Sequence, residues 1–295
     1  MHPLIESLIK DGPAVTDGSW GTQMQKRGLK RGHSPDSWNL SHADQVREVA
    51  EQYVSAGSQI ILTNTFGASR LSLANFGLAE KTAEINMAGV RISREAAGGR
   101  AHVFASIGPT GRMLITRETT EEELQNVFEE QANAQARAGA DGIIIETMID
   151  VEEARIAAIA AKHTGLPVIV SMVYDSGEDK DRTMMGNSPE EVVAEISKIG
   201  VDGFGANCGQ GIEAFLPICR RLRQATDLPI WIKPNAGLPE VVDDGVVFRT
   251  TAAEFVQYVP GLIEAGANFI GGCCGTDQQF VKAIRQTVEG MSNAE

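Results

Sequence analysis

Eight short apolar runs, each followed by a helical pattern, predict an α/β protein closed as a single (β/α)8 TIM barrel. Two further observations point the same way. The runs are continuous rather than alternating, as befits strands of a parallel sheet buried on both faces. An Ala-Gly-X triplet ends a helix and enters the next strand at Ala56-Gly57-Ser58, Ala138-Gly139-Ala140 and Ala265-Gly266-Ala267, which marks αβ turns at one end of the barrel. A length of 295 residues is long for most domains but ordinary for this one. No linker, low-complexity tract or charge block divides the chain, so residues 1–295 read as one unit.

The elements follow in order. Ala14–Thr16 is the first strand, ending at Asp17-Gly18, and a helix over Ala43–Ala56 follows, with Ser41 as its expected cap and Gly57 as its stop. Ile60–Thr63 is the second strand, with a helix over Glu80–Ala97. His102–Ile107 is the third; Thr120 and Glu123 form a capping-box pattern at the head of the helix that runs to Ala138. Gly142–Ile145 is the fourth strand, with a helix over Val151–His163. Pro167–Met172 is the fifth, and Ser188 then Pro189 open the helix that runs to Ile199. Gly203–Ala206, Pro229–Lys233 and Asn268–Ile270 complete the set, with helices over Gly211–Gln224, Thr251–Ala265 and Asp277–Glu289. The long irregular stretches Gly18–His42 and Tyr174–Asn187 follow strands one and five, so they belong to the active face of a barrel.

Composition narrows the function. Hydrophobic residues make up 42% and charged residues 22%, as in an ordinary globular protein. The net charge of −13 would repel a phosphate backbone, which excludes nucleic acid as an expected partner. Met1–Gly12 carries Glu6, Lys10 and Asp11 and does not read as a signal peptide, and no apolar run is long enough to cross a bilayer, so no membrane is expected. Four cysteines in such a chain point to a reducing cytoplasm, and to metal binding or catalysis before disulfides.

In a barrel the carboxyl ends of the strands converge on one mouth. Those positions here are Asp17, Thr63-Asn64-Thr65, Gly108, Glu146, Met172, Asn207-Cys208, Lys233-Pro234-Asn235 and Cys273-Cys274. The paired cysteines lie in Gly271-Gly272-Cys273-Cys274-Gly275-Thr276. Adjacent cysteines make a strained disulfide, but glycines on either side let both thiolates face one soft metal ion. Cys208 shares their rim, and three thiolates with no fourth protein ligand make an open zinc site. The plainer reading is packed thiols in a turn. Cys219, beside Leu216 and Leu222 in a helix, reads as packed and inert. The glycine-rich turn Asp17-Gly18-Ser19-Trp20-Gly21-Thr22 offers bare N–H groups to an anion, or is simply a tight turn. Asp17 and Glu146, with little nearby to neutralise them, suit an ammonium group or a structural tie. Lys233 at a strand end is a candidate for Schiff-base chemistry, but no phosphate-binding loop accompanies it.

Taken in order, Asp17-Gly18-Ser19-Trp20-Gly21-Thr22, Leu62-Thr63-Asn64-Thr65-Phe66-Gly67-Ala68, Glu146-Thr147, Asn207-Cys208, Pro234-Asn235-Ala236-Gly237 and Gly271–Thr276 resemble the zinc-dependent homocysteine S-methyltransferase family. The resemblance spans essentially the whole chain and is closest to the homocysteine-binding barrel of cobalamin-dependent methionine synthase. It implies a (β/α)8 barrel, Zn2+ held by Cys208, Cys273 and Cys274, and homocysteine contacts at Asp17, Gly18 and Glu146 with Thr63, Asn64 and Asn235 as neighbours. It also implies transfer of a methyl group to the homocysteine thiol to give methionine. Folate, cobalamin and activation domains follow this barrel in the synthase, whereas the sequence here ends at Glu295, so the expected donor is methylcobalamin carried by a separate corrinoid protein. Trp20 stands where the family has a smaller or aliphatic residue, and would narrow the mouth.

The chemistry expected of such a site is direct. A free thiol near the pKa of cysteine, about 8.5, is mostly protonated at neutral pH, and Zn2+ removes that proton. Three cysteine thiolates leave the centre negative, so the fourth sulfur stays nucleophilic, with no general base required. Asp17 and Glu146 would hold the ammonium group and backbone N–H groups of Gly18 and Ser19 the carboxylate, while the Asn235 carbonyl or water would fill the fourth metal position before substrate arrives. A sulfonium or betaine donor would instead want an aromatic cage, for which Trp20, Trp38, Phe66 and Tyr174 are the candidates. A non-catalytic zinc or thiol-binding barrel, or a different thiol acceptor, would use the same cysteines.

Overall fold

The structure is a computed structural model that describes residues 1–242 and 245–292. Its main sheet has eight parallel strands: β1 (Ala14–Val15), β2 (Ile60–Leu62), β3 (His102–Ile107), β4 (Gly142–Met148), β5 (Val168–Met172), β6 (Gly203–Gly211), β7 (Ile230–Asn235) and, after a two-stranded hairpin of β8 (Glu240–Val242) and β9 (Gly245–Val247), β10 (Ala267–Ile270). The spatial order β1-β10-β7-β6-β5-β4-β3-β2 is that of a barrel opened at one seam. Between β1 and β2 the ring is closed largely by side chains. Gln59 N–H donates to Val15 O at 2.8 Å, Val15 N–H donates to Gln59 Oε1 at 3.0 Å, and Leu62 N–H donates to Asp17 Oδ2 at 2.7 Å.

Side chains of a strand alternate between two faces, and this alternation builds the interior. Ala14, Ile60, Leu62, Phe104, Ile144, Ile169, Trp231 and Phe269 point inward and form one buried cluster. Their neighbours Val15, Ile61, Val103, Ala105, Ile143, Ile145, Val168, Val170, Ile230, Ile232 and Ile270 point outward, into the larger layer under the helices. Phe104 and Phe269 flank Trp231, with ring centroids 6.2 and 5.3 Å from it. Truncating any of these three rings would cost about 3–5 kcal/mol. The N-terminal helix Pro3–Ile9, which the sequence reading left unassigned, closes the bottom of this cluster with Ile5, and His2 N–H is tied to Asp202 Oδ1 at 2.8 Å.

The expected strands all appear, and most helices do, with informative differences. Gly57, Gly139 and Gly266 take φ of 101°, 94° and 100°, the conformation that makes glycine the suitable residue in each Ala-Gly-X turn. Ser41 does not cap the helix Ala43–Ser55; it ends a separate turn, Trp38–Ser41, and His42 occupies the cap without a side-chain bond. At Thr120 only half of the capping box forms, because the Glu123 carboxylate accepts from Thr119 Oγ1 at 2.8 Å instead. Ser188 and Glu191 form the complete box. The expected helix Thr251–Ala265 is broken into Ala252–Phe255, a tight turn, and Val259–Glu264, since Pro260 has no N–H for a continuous ladder. Among the described residues no helix is long and apolar enough to cross a membrane.

Candidate metal centre and substrate pocket

The alternation that fills the core also places the site. One step beyond the interior layer, the inward positions are Ser106 after Phe104, Glu146 after Ile144, Ser171 after Ile169, Asn207 on β6 and Lys233 after Trp231; each is buried. On β10 the same position is Gly271, where a Cβ would lie 2.0 Å from Thr16 Oγ1, so only glycine lets the strand end beside β1. A polar layer therefore sits on an apolar one, at the carboxyl ends of the strands.

Cys208, Cys273 and Cys274 meet on this rim. Their sulfurs all lie within 4.8 Å of one another, with Cys208 and Cys274 4.0 Å apart. A tetrahedral zinc with bonds near 2.3 Å needs sulfurs about 3.8 Å apart, so the spacing fits three thiolates and one open position. The backbone is built to hold them. Cys273 N–H donates to Pro234 O at 2.7 Å, Ala236 N–H to Cys274 O at 2.9 Å and Cys274 N–H to Asn235 Oδ1 at 3.0 Å, which straps the cysteine pair to the end of β7. Cys208 itself takes φ of 62°, a left-handed conformation rarely adopted by a residue with a side chain. Without a cation the three sulfurs share charge unequally. The thiols of Cys273 and Cys274 donate to Cys208 and pull it down to about 3, while bonding to Cys208 pushes Cys273 well up and Cys274 to about 12. A bound dication would let all three ionise together. Cys219 is fully buried in its helix, its thiol pushed up to about 12 by burial.

A cavity of about 610 Å3 opens above these sulfurs. Gly18, Ser19, Thr63, Asn64, Glu146, Cys208, Cys273 and Cys274 line it, together with Lys233, Ser106, Thr147 and Asp36, while Asp17 and Asn235 lie behind its wall. Of the aromatic residues named from the sequence, Trp20 and Phe66 reach the cavity and Phe76 joins them. Trp38 is buried on His42 instead, and Tyr174 is buried away from the cavity.

The acidic residues differ from expectation. Asp17 is not an unneutralised carboxylate: it is fully buried, one oxygen meets Lys233 Nζ, and the other accepts from Trp20 Nε1 and Leu62 N–H, each at 2.7 Å. Trp20 thus leans on Asp17. Burial opposes the Lys233 charge, but Asp17 and then Glu146 outweigh it and hold the ammonium above its ordinary pKa. Burial raises Glu146, with Lys233 and the Ser106 hydroxyl, which donates to Oε1 at 2.6 Å, pulling the other way. Ser19 N–H is spent on Thr276 Oγ1 at 3.2 Å, and a Cβ on Gly18 would lie 2.8 Å from Tyr53 Oη. Asn235 turns its amide oxygen to Cys274 N–H and hydrogen-bonds the Cys208 sulfur. Thr63 Oγ1 accepts from Ser106 N–H, and Asn64 donates to Pro35 O and Asn39 Oδ1. The Lys233 pairing, Ser106 and the bracing role of Asn207, named only as a mouth position, went unread in the sequence, although the two-residue alternation along β3, β6 and β7 carries the signal.

The chain matches the homocysteine S-methyltransferase family model over residues 14–288. It belongs to that family. Methionine synthase of Mycobacterium leprae is 26% identical across 97% of this chain, and that of Mycobacterium tuberculosis 25% identical across 95%. The chain spans about a quarter of the length of these relatives, 25% in each case. Among solved structures, the metallated form of the homocysteine methyltransferase MmuM from Escherichia coli superposes with a TM-score of 0.81 at 23% identity, covering 97% of this chain and 99% of that one. The oxidized form matches with the same score, over 96% and 99%. This likeness establishes the (β/α)8 fold, in accord with the strand order.

Proposed function

We propose that residues 1–295 act as one homocysteine-binding barrel that transfers a methyl group to the homocysteine thiol, giving methionine, with zinc held by Cys208, Cys273 and Cys274. The observation that carries the reading is the cluster of three thiol sulfurs, with one tetrahedral position left open toward a cavity of amino-acid size. The family membership and the methionine synthase and homocysteine methyltransferase names of the relatives supply the acceptor. Bound there, zinc supplies the positive charge that makes a substrate thiol a nucleophile near neutral pH. Glu146 takes the substrate ammonium through Oε2, which accepts no hydrogen bond from the described residues, while Ser106 fixes Oε1. Thr63 and Asn64 shape the cavity wall just beyond β2, and Gly18 lines it beside β1, its missing Cβ leaving room for the Tyr53 hydroxyl behind. Asp17 works from behind the wall, holding Lys233, Trp20 and the seam in place.

The donor in this reading is a methyl-corrinoid on a separate protein. Phe66 and Phe76 on the rim are 41% and 43% exposed, so the mouth is broad and apolar rather than a closed cage of rings around a small cation. Ionisable thiols at the rim suit the reducing cytoplasm. The test is zinc content, then zinc-edge X-ray absorption during a homocysteine titration. One zinc per chain, with its shell changing from three sulfurs to four, is expected; methylcobalamin, betaine and S-methylmethionine are then compared as donors. An unchanged shell overturns homocysteine as acceptor, and turnover with betaine or S-methylmethionine but not methylcobalamin overturns the corrinoid donor.

A further inference from the structure

Lys233 is a buried ammonium with more hydrogen-bonding capacity than the chain uses. It is 2% exposed, lines the cavity, and among the described residues makes one hydrogen bond, to Asp17. An ammonium has three N–H donors, so two remain unspent in a place where an unpaired donor is costly. The face of Trp231 lies 5.9 Å below and gives it a floor rather than a second acceptor. Glu146 Oε2, to which no described residue donates, lies in the same cavity and is the complementary half. Among the described residues Lys233 is the only basic one lining the cavity, whose other ionisable groups are Asp36, Glu146 and the three cysteines. A substrate carboxylate entering this surplus of negative charge needs a cation, and only Lys233 offers one.

We propose that Lys233 is a substrate-binding residue that takes the α-carboxylate of the thiol acceptor, so that Lys233 and Glu146 together select a zwitterionic amino acid. This replaces Ser19 N–H, already bonded to Thr276, as the carboxylate anchor. It rests on the acceptor reading above and adds to it: the site reads both charged groups of the acceptor as well as its sulfur.

The test is calorimetric binding of homocysteine and of homocysteamine, the same thiol without the carboxylate, to the zinc-loaded protein. Wild-type protein is expected to bind homocysteine at least about tenfold more tightly, in line with a charge-assisted hydrogen bond. Lys233→Met is expected to remove that difference, weakening homocysteine while leaving homocysteamine nearly unchanged, and Lys233→Arg to restore part of it. Equal weakening of both thiols by Lys233→Met would make Lys233 a structural partner of Asp17 and overturn the proposal. So would equal affinities in the wild-type protein, an arm that needs no variant to fold. Equal binding of both thiols leaves the acceptor reading standing, whereas binding of neither to zinc-loaded protein overturns that reading as well.

Discussion

Asn207 and Thr147 hold each other through two hydrogen bonds: Thr147 N–H donates to Asn207 Oδ1 at 2.9 Å, and Asn207 Nδ2 donates to Thr147 Oγ1 at 2.7 Å. Thr147 is thereby kept at φ of 60°, left-handed like Cys208, the residue next to Asn207. The same amide oxygen accepts from Ser171 Oγ at 2.7 Å, and the amide nitrogen lies 3.9 Å from Cys273 Sγ. One fully buried side chain therefore ties β4 and β5 to the metal rim. Asn207→Ala should cost about 2–4 kcal/mol, because it strands buried partners. It should also weaken zinc about 10–100-fold, as loss of an outer ligand contact does. Urea unfolding and competition with a chelator measure the two effects.

Cys208 permits a cleaner separation of backbone from metal. Cys208→Ala and Cys208→Gly both remove a thiolate, so each should lose zinc on dialysis and lose turnover. Only alanine keeps a Cβ in the left-handed conformation, so the glycine variant should be more stable by about 1 kcal/mol. Equal unfolding midpoints in metal-free buffer would contradict this.

Gly271, at the eighth strand end, should divide sharply from Gly21, the first residue of the short helix Gly21–Lys26. Gly271→Ala places a Cβ 2.0 Å from Thr16 Oγ1 and 2.6 Å from Asp17 O, and should cost about 3 kcal/mol or prevent folding. At Gly21 a Cβ meets nothing within 4 Å, so Gly21→Ala should fold normally. Soluble yield and thermal midpoint distinguish them.

Much of this was legible from residue spacing. The eight strands, the cysteine pair with Cys208, and the glycine turns follow from alternation, helix period and backbone conformational freedom, each a local rule. The Asp17–Lys233 pair was not, since 216 residues separate its members and only closure of the barrel decides which carboxylate meets which cation. The aromatic rim was half legible for a similar reason. Trp38 and Tyr174 lie in the right loops, yet folding turns both away from the cavity and brings in Phe76.

Asp36 predicts a pH effect. Burial is the main cause that raises its carboxyl to about 6, against hydrogen bonds from its own backbone, Gly67 N–H and Ser34. A carboxyl raised in the folded state favours folding most below its unfolded value near 3.8, and that contribution disappears as pH rises through 6. The loss amounts to about 3 kcal/mol. Asp36→Asn should flatten this part of the stability profile between pH 4 and pH 7 relative to wild type, as read by urea unfolding along the series.

The seam between β1 and β2 sets the order in which the molecule becomes competent. The eighth strand, β10, pairs with β1 and β7 by backbone ladders, but the last gap is bridged chiefly by Gln59 and Asp17. A chain whose ring has not yet shut already has its cysteines near one another and Asp17 beside Lys233, since β1, β10, β7 and β6 are neighbours, but it leaves the Thr63 and Asn64 wall beyond β2 apart from Gly18. Shutting the ring is thus what encloses the pocket, and a partly opened barrel would hold its metal cluster and its buried charge pair before it had a complete wall around an amino acid.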